Sequence, residues 1–144
     1  MITIAEVMSK DVKKTTVGTS IAEAAERMRD HRIGALLVEK DRQLVGIVTD
    51  TDVVRKAVAE RKDLAKTTVA SSMTHLHTIG STQLLLDTHD MMRYSGVRHL
   101  AVREDGNVVG ILSVGDLAAY AVLPHWTSER CLIAASAASR ASST

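Results

Sequence analysis

Phenylalanine is absent from the chain and aromatic residues make up only 2% of it. A core therefore has to be built from Val, Ile, Leu, Ala and Met. The shortage also removes the stacking platforms on which single-strand nucleic-acid binders lay bases. Cysteine occurs once, at Cys131, so neither an internal disulfide nor a cysteine zinc site can form, and a reducing cytoplasm is the expected setting. Net charge is nearly absent as well: 18 basic side chains face 17 acidic ones, which leaves no electrostatic footprint for nucleic acid. No apolar run approaches the length of a membrane span. The opening MITIAEVMSKD lacks a basic region followed by a long apolar stretch, so no secretory leader is expected. Glycine is too sparse in VGTS (Val17–Ser20) and IGST (Ile79–Thr82) for a phosphate-cradling loop. No Ser–His–Asp or Cys–His order and no dinucleotide fingerprint appears, so an enzyme is not expected.

What the sequence does contain is a repetition. GIVTDTD (Gly46–Asp52) recurs as GILSVGD (Gly110–Asp116), 64 positions on. The same spacing pairs Met28 with Met92, Ile33 with Val97, Leu36 with Leu100 and Val38 with Val102. TTVGTS (Thr15–Ser20) resembles HTIGST (His77–Thr82) at 62, which implies a two-residue slip near Ser81 to Gln83. VMSK (Val7–Lys10) resembles SMTH (Ser72–His75). The chain of 144 residues suffices for one compact domain or two small packed halves. The expected division is repeat 1 over 1–60, a polar linker over 61–69, repeat 2 over 70–122 and a tail over 123–144 beginning around Pro124.

Each repeat reads as strand, helix, strand, strand, helix. Thr19 or Ser20 can cap a helix over IAEAAERMRDH, whose Ile21, Ala24, Ala25 and Met28 share a face. ALLVEKDRQLVGIVT reads as a hairpin turning at Lys40 to Gln43, and DTDVVRKAVAER as a helix with acidic residues at its N-terminus. In the second copy Glu104 to Asn107 is a tight-turn signal, and Gly96 suits a helix C-cap.

Two intact copies of the frame, each with its upstream helix and hairpin, resemble a tandem pair of cystathionine-β-synthase (CBS) domains over about the first 122 residues. The resemblance implies an α+β fold of two pseudo-twofold-related β-α-β-β-α repeats, their sheets packed together with helices outside, and two clefts. It implies a non-catalytic sensor needing no cofactor, which binds AMP, ADP, ATP or S-adenosylmethionine. It also implies a homodimer and an unidentified effector protein as partners, with neither nucleic acid nor membrane involved.

The hydroxyl–x–x–Asp frame has a chemical logic of its own. Thr49 or Ser113 offers a hydroxyl at a strand end, and Asp52 or Asp116 projects a carboxylate to the same side one helical turn later. Two carboxylate oxygens suit the vicinal hydroxyls of ribose. The amides of Thr51 and Val114 are candidates to face a phosphate. By resemblance, the cleft of Ser113 and Asp116 is closed by Lys14, Thr15 and Thr16 and by Ile33, Gly34 and Ala35. The cleft of Thr49 and Asp52 is closed by His77, Thr78 and Ile79 and by Val97, Arg98 and His99. Backbone groups there would read the adenine edge, Ile33 and Val97 would pack on its faces, and Arg98 and His99 would meet phosphate. The same residues have a plainer reading: Thr49 and Ser113 as N-caps, and Asp52 and Asp116 as first-turn acids. His75 and His77 form an H-x-H on one strand face, yet nothing closes a metal-ligand set at recognised spacing. A dimerising scaffold without ligands is the alternative function.

Overall fold

The computed structural model describes residues 2–121, and Pro124, His125, Cys131 and the expected tail lie outside the described residues. The fold is α+β, with two three-stranded sheets of like topology. Among the described residues no helix is long and apolar enough to cross a membrane.

The first sheet contains β1 (Lys14–Thr16), β2 (Ala35–Lys40) and β3 (Gln43–Thr49), with β2 central. The connecting helix α1 (Ile21–His31) starts at Ser20, whose hydroxyl accepts the Glu23 amide at 3.1 Å. It ends at Arg32 in the left-handed conformation. β1 runs parallel to β2, and β2 pairs antiparallel with β3. The β2–β3 turn places Asp41 and Arg42 at φ 50° and 64°. Two consecutive left-handed residues make the turn whose twist matches that of the strands. After β3 the chain forms α2 (Asp50–Asp52), which widens into a π-helix over Val53–Val58. That widening departs from the regular helix expected there.

The second sheet repeats the plan with β4 (Thr78–Gly80), α3 (Leu85–Ser95), β5 (His99–Glu104), β6 (Asn107–Ser113) and α4 (Val114–Ala121). Gly96 caps α3 at φ 68°, and Asp105 and Gly106 form the tight turn. The two-residue slip is not present. Lys14 pairs with Leu37 and Thr78 with Ala101, so strand and partner keep the spacing of 64. The likeness of TTVGTS to HTIGST is local, and the residue that takes the place of Thr16 in the second sheet is Gly80 rather than Thr78.

Two compact units result, and they do not coincide with the sequence repeats. Of the described residues, one unit joins those up to Asp11 to those from His77 onward; the other is Val12–Leu76. Each unit therefore holds one sheet and the leading segment that precedes the other repeat. In the Val12–Leu76 unit the core is formed by Ile21, Ala24 and Met28 of α1, Leu36, Val38 and Val48 of the sheet, Val53 and Ala57 of the π-helix, and Val69. Ala25, expected on the same face, is only half-buried. In the other unit Ile4 joins Ile79, Leu85, Met92, Leu100, Val102, Leu112 and Leu117. Each leading segment is a short 3-10 turn, Ile4–Glu6 or Val69–Ser71, followed by an exchange of backbone bonds with the last strand. Ser9 and Ile111 bond each other in both directions at 2.9 Å. Thr74 and Ile47 do the same at 2.8 and 3.0 Å.

Candidate functional site

The recurrent frame is built by this strap. An ideal Cβ on Gly46 would lie 2.8 Å from the Thr74 carbonyl oxygen and 3.0 Å from Met73 Sδ. At Gly110 it would lie 2.5 Å from Met8 Sδ and 2.9 Å from the Ser9 carbonyl oxygen. Glycine leads the frame because the leading segment crosses the last strand there. The aliphatic residues that follow include the core residues Val48 and Leu112.

The hydroxyl and the carboxylate close on each other. The Thr49 amide donates to Asp52 Oδ2 at 3.0 Å, and the Asp52 amide donates to Thr49 Oγ1 at 3.1 Å. The Ser113 amide donates to Asp116 Oδ2 at 2.8 Å, and the Asp116 amide to Ser113 Oγ at 3.0 Å. Each frame is thus a reciprocal capping box, two orphan amides at a helix start satisfied by two side chains. The cap also fixes both side chains in orientation. Each hydroxyl oxygen accepts, which leaves its proton able to donate, and one carboxylate oxygen remains outside the cap.

That second oxygen differs between the frames. Asp52 is 6% exposed, and its Oδ1 is held by Lys56 Nζ at 3.1 Å. Lys56 also donates to the Ser72 carbonyl oxygen at 3.3 Å. Asp116 is half-buried, and among the described residues its carboxylate accepts from the Ser113 amide alone. Lys56 did not figure in the sequence reading, although Asp followed by Lys four residues later is a recognisable helical ion pair.

The strand ends bring further expected residues to each frame. Ala35 is paired with Thr49, and Gly34 accepts the Asp50 amide at 3.0 Å. His99 is paired with Ser113, and Arg98 accepts the Val114 amide at 3.0 Å. Both amides expected to face a phosphate are therefore engaged, Val114 with Arg98 and Thr51 with Asp50 Oδ1 at 2.8 Å. Arg98 is exposed and His99 half-buried. Lys14 pairs with Glu39 at 3.1 Å, and the Thr16 and Thr19 hydroxyls share a hydrogen bond. Thr15 is buried, its hydroxyl without a hydrogen-bond partner among the described residues. Ile33 and Val97 pack partly against the core of their own unit. His77 and Thr78 are exposed, and the His77 carbonyl accepts the Ala101 amide at 2.9 Å. The grouping observed is within each unit. Among the described residues no three His, Cys, Asp or Glu side chains gather as a metal site.

The family model for the CBS domain matches twice, at residues 4–59 and 68–123. The chain belongs to the CBS-domain family. It is 30% identical over 119 residues to the CBS domain-containing protein YhcV of Bacillus subtilis, covering 82% of this chain and 84% of that one. It is 31% identical over 133 residues to the uncharacterized protein YlbB of the same organism, covering 90% and 86%. A solved CBS-domain protein from Burkholderia ambifaria superposes with a TM-score of 0.82 at 26% identity, over 88% of this chain and 98% of the other. Tandem CBS domains are typically ligand-binding regulatory modules, which places both capping-box frames in a family that uses such pairs for regulation.

Proposed function

We propose that this CBS pair is a non-catalytic sensor of adenosine-containing ligands: AMP, ADP, ATP or S-adenosylmethionine. The observation that carries the reading is the second carboxylate oxygen of Asp116, open among the described residues and held in place by a cap to Ser113. A vicinal diol presents two donors at the spacing a carboxylate accepts. Asp52 and Asp116 take ribose, and the Thr49 and Ser113 hydroxyl protons orient ribose or phosphate. Arg98 and His99 neutralise phosphate. Backbone groups of Lys14, Thr15 and Thr16, of Gly34 and Ala35, and of His77 and Thr78 read the adenine edge, with Ile33 and Val97 against its faces. The protein acts in the cytoplasm as a homodimer whose ligand state an effector protein reads.

Isothermal titration of nucleotide-stripped protein with AMP, ATP and S-adenosylmethionine tests this. Saturable binding that Asp116→Asn weakens supports the sensor. Asparagine is the informative substitution, because it keeps an oxygen for the Ser113 amide and so separates ligand binding from the cap. A second reading has its own support. The capping boxes account for the frames without any ligand, as a dimerising scaffold would need. In that case a folded dimer gives no heat with any of the three compounds.

A further inference from the structure

The two frames are alike in strand pairing and cap but unlike in what meets the outer carboxylate oxygen. Lys56 lies four residues beyond Asp52 on the same side of the helix and contacts Oδ1 at 3.1 Å. Its second contact, to the Ser72 carbonyl at 3.3 Å, ties the ammonium to the buried end of the 3-10 turn. The segment that presents it is the π-helix Val53–Val58. Such widened turns are rare and are frequent at functional sites. The residue four beyond Asp116 is Tyr120, which carries no positive charge.

Asp52 thus has one oxygen in the cap and the other on an ammonium, with its side chain 8% exposed. A diol arriving there has to compete with a charge-assisted bond. Among the described residues Asp116 has no such competitor.

We infer that Lys56 is a resident counter-ion that occupies the ribose-accepting oxygen of Asp52. It makes the two frames unequal, with Asp116 filling first and the Asp52 frame opening only when Lys56 is displaced. This rests on the reading that the two aspartates accept ribose. The inequality turns one doubled fold into a high-affinity and a low-affinity receptor for the same ligand. The chain then responds over a wider concentration range than two equal sites allow.

Calorimetry with adenosine tests this, since an uncharged probe removes any attraction between Lys56 and phosphate. In an Asp116→Asn background only the Asp52 frame is left to titrate. Adding Lys56→Met should tighten that remaining site about tenfold, the worth of one charge-assisted hydrogen bond. Lys56→Gln, which keeps a donor for Ser72, should give a smaller gain in the same direction. The converse change, Tyr120→Lys in the otherwise native chain, should weaken the Asp116 site about tenfold. It supplies the test if Lys56→Met does not fold. Unchanged or weaker binding at the Asp52 frame on loss of Lys56, or an Asp116 site indifferent to Tyr120→Lys, overturns the inference and leaves the sensor standing. Absence of adenosine, AMP, ATP and S-adenosylmethionine binding in every variant overturns the sensor itself, and this inference with it.

Discussion

A methyl group at position 110 has nowhere to go. Its neighbours would be Met8 Sδ at 2.5 Å and the Ser9 carbonyl oxygen at 2.9 Å. The thioether can swing aside, but the carbonyl belongs to a residue whose amide and oxygen are both bonded to Ile111. Gly110→Ala must therefore push the strap off the strand and should cost about 1–3 kcal/mol, the usual range for overpacking. Chemical denaturation checks this. Gly80→Ala is the control, since a Cβ there meets nothing within 4 Å. Equal midpoints for the two variants would show that the strap yields freely. At this scale the sequence made the frame visible and offered the caps as its plainer reading, but not the segment that crosses the strand at the glycine. Glycine, hydroxyl and carboxylate recur because of a backbone crossing and a capping box, which serve the fold before any ligand arrives. Lys56 went unnoticed because it lies outside the repeated frame, and a comparison of repeats directs attention to what the copies share. The residue that distinguishes them is by construction absent from that pattern.

The elements were more legible than the contacts between them. Hydrophobic spacing located α1, and turn chemistry located both hairpins, because these signals are local. The π-helix had no such signal. VVRKAV is an ordinary amphipathic stretch whose Val53 and Ala57 enter the core, and nothing in its spacing marks the widening. The two hairpin turns offer a comparison within one molecule. The second uses Asp105 and Gly106 at φ 51° and 80°, while the first uses Asp41 and Arg42 at φ 50° and 64°. A side chain in the left-handed region costs about 1–2 kcal/mol, which the greater freedom of unfolded glycine offsets in part. Arg42→Gly should then stabilise the protein by about 0.5–1 kcal/mol, seen as a higher urea midpoint at unchanged slope. A lower midpoint would mean that the Arg42 side chain contributes more than its backbone conformation costs.

At the scale of the whole chain, the repeats of the sequence are not the units of the structure. Pairing between Ser9 and Ile111 joins segments about a hundred positions apart, and no local pattern in either announces it. The exchange has a mechanical consequence. Ile4 precedes the first sheet in sequence, yet it is fully buried in the unit of the second. It shares its core with Leu85, Leu100 and Leu112, all from the second repeat. Ile4→Ala should cost about 2–5 kcal/mol, as for other buried large-to-small changes. The loss should appear where Ile4 packs rather than where it lies in sequence. Amide hydrogen exchange followed residue by residue separates the two cases. Protection should fall first in β4, β5 and β6, more than sixty residues away, while β1, β2 and β3 keep theirs longer. Equal loss in both sheets would mean that the units open as one cooperative body. Loss confined to β1–β3 would contradict the assignment of the leading segment. The first outcome would also explain why the chain holds both sheets in a single run of residues. With each leading segment lodged in the other repeat's unit, a fragment cut between the repeats would leave both cores without one of their members.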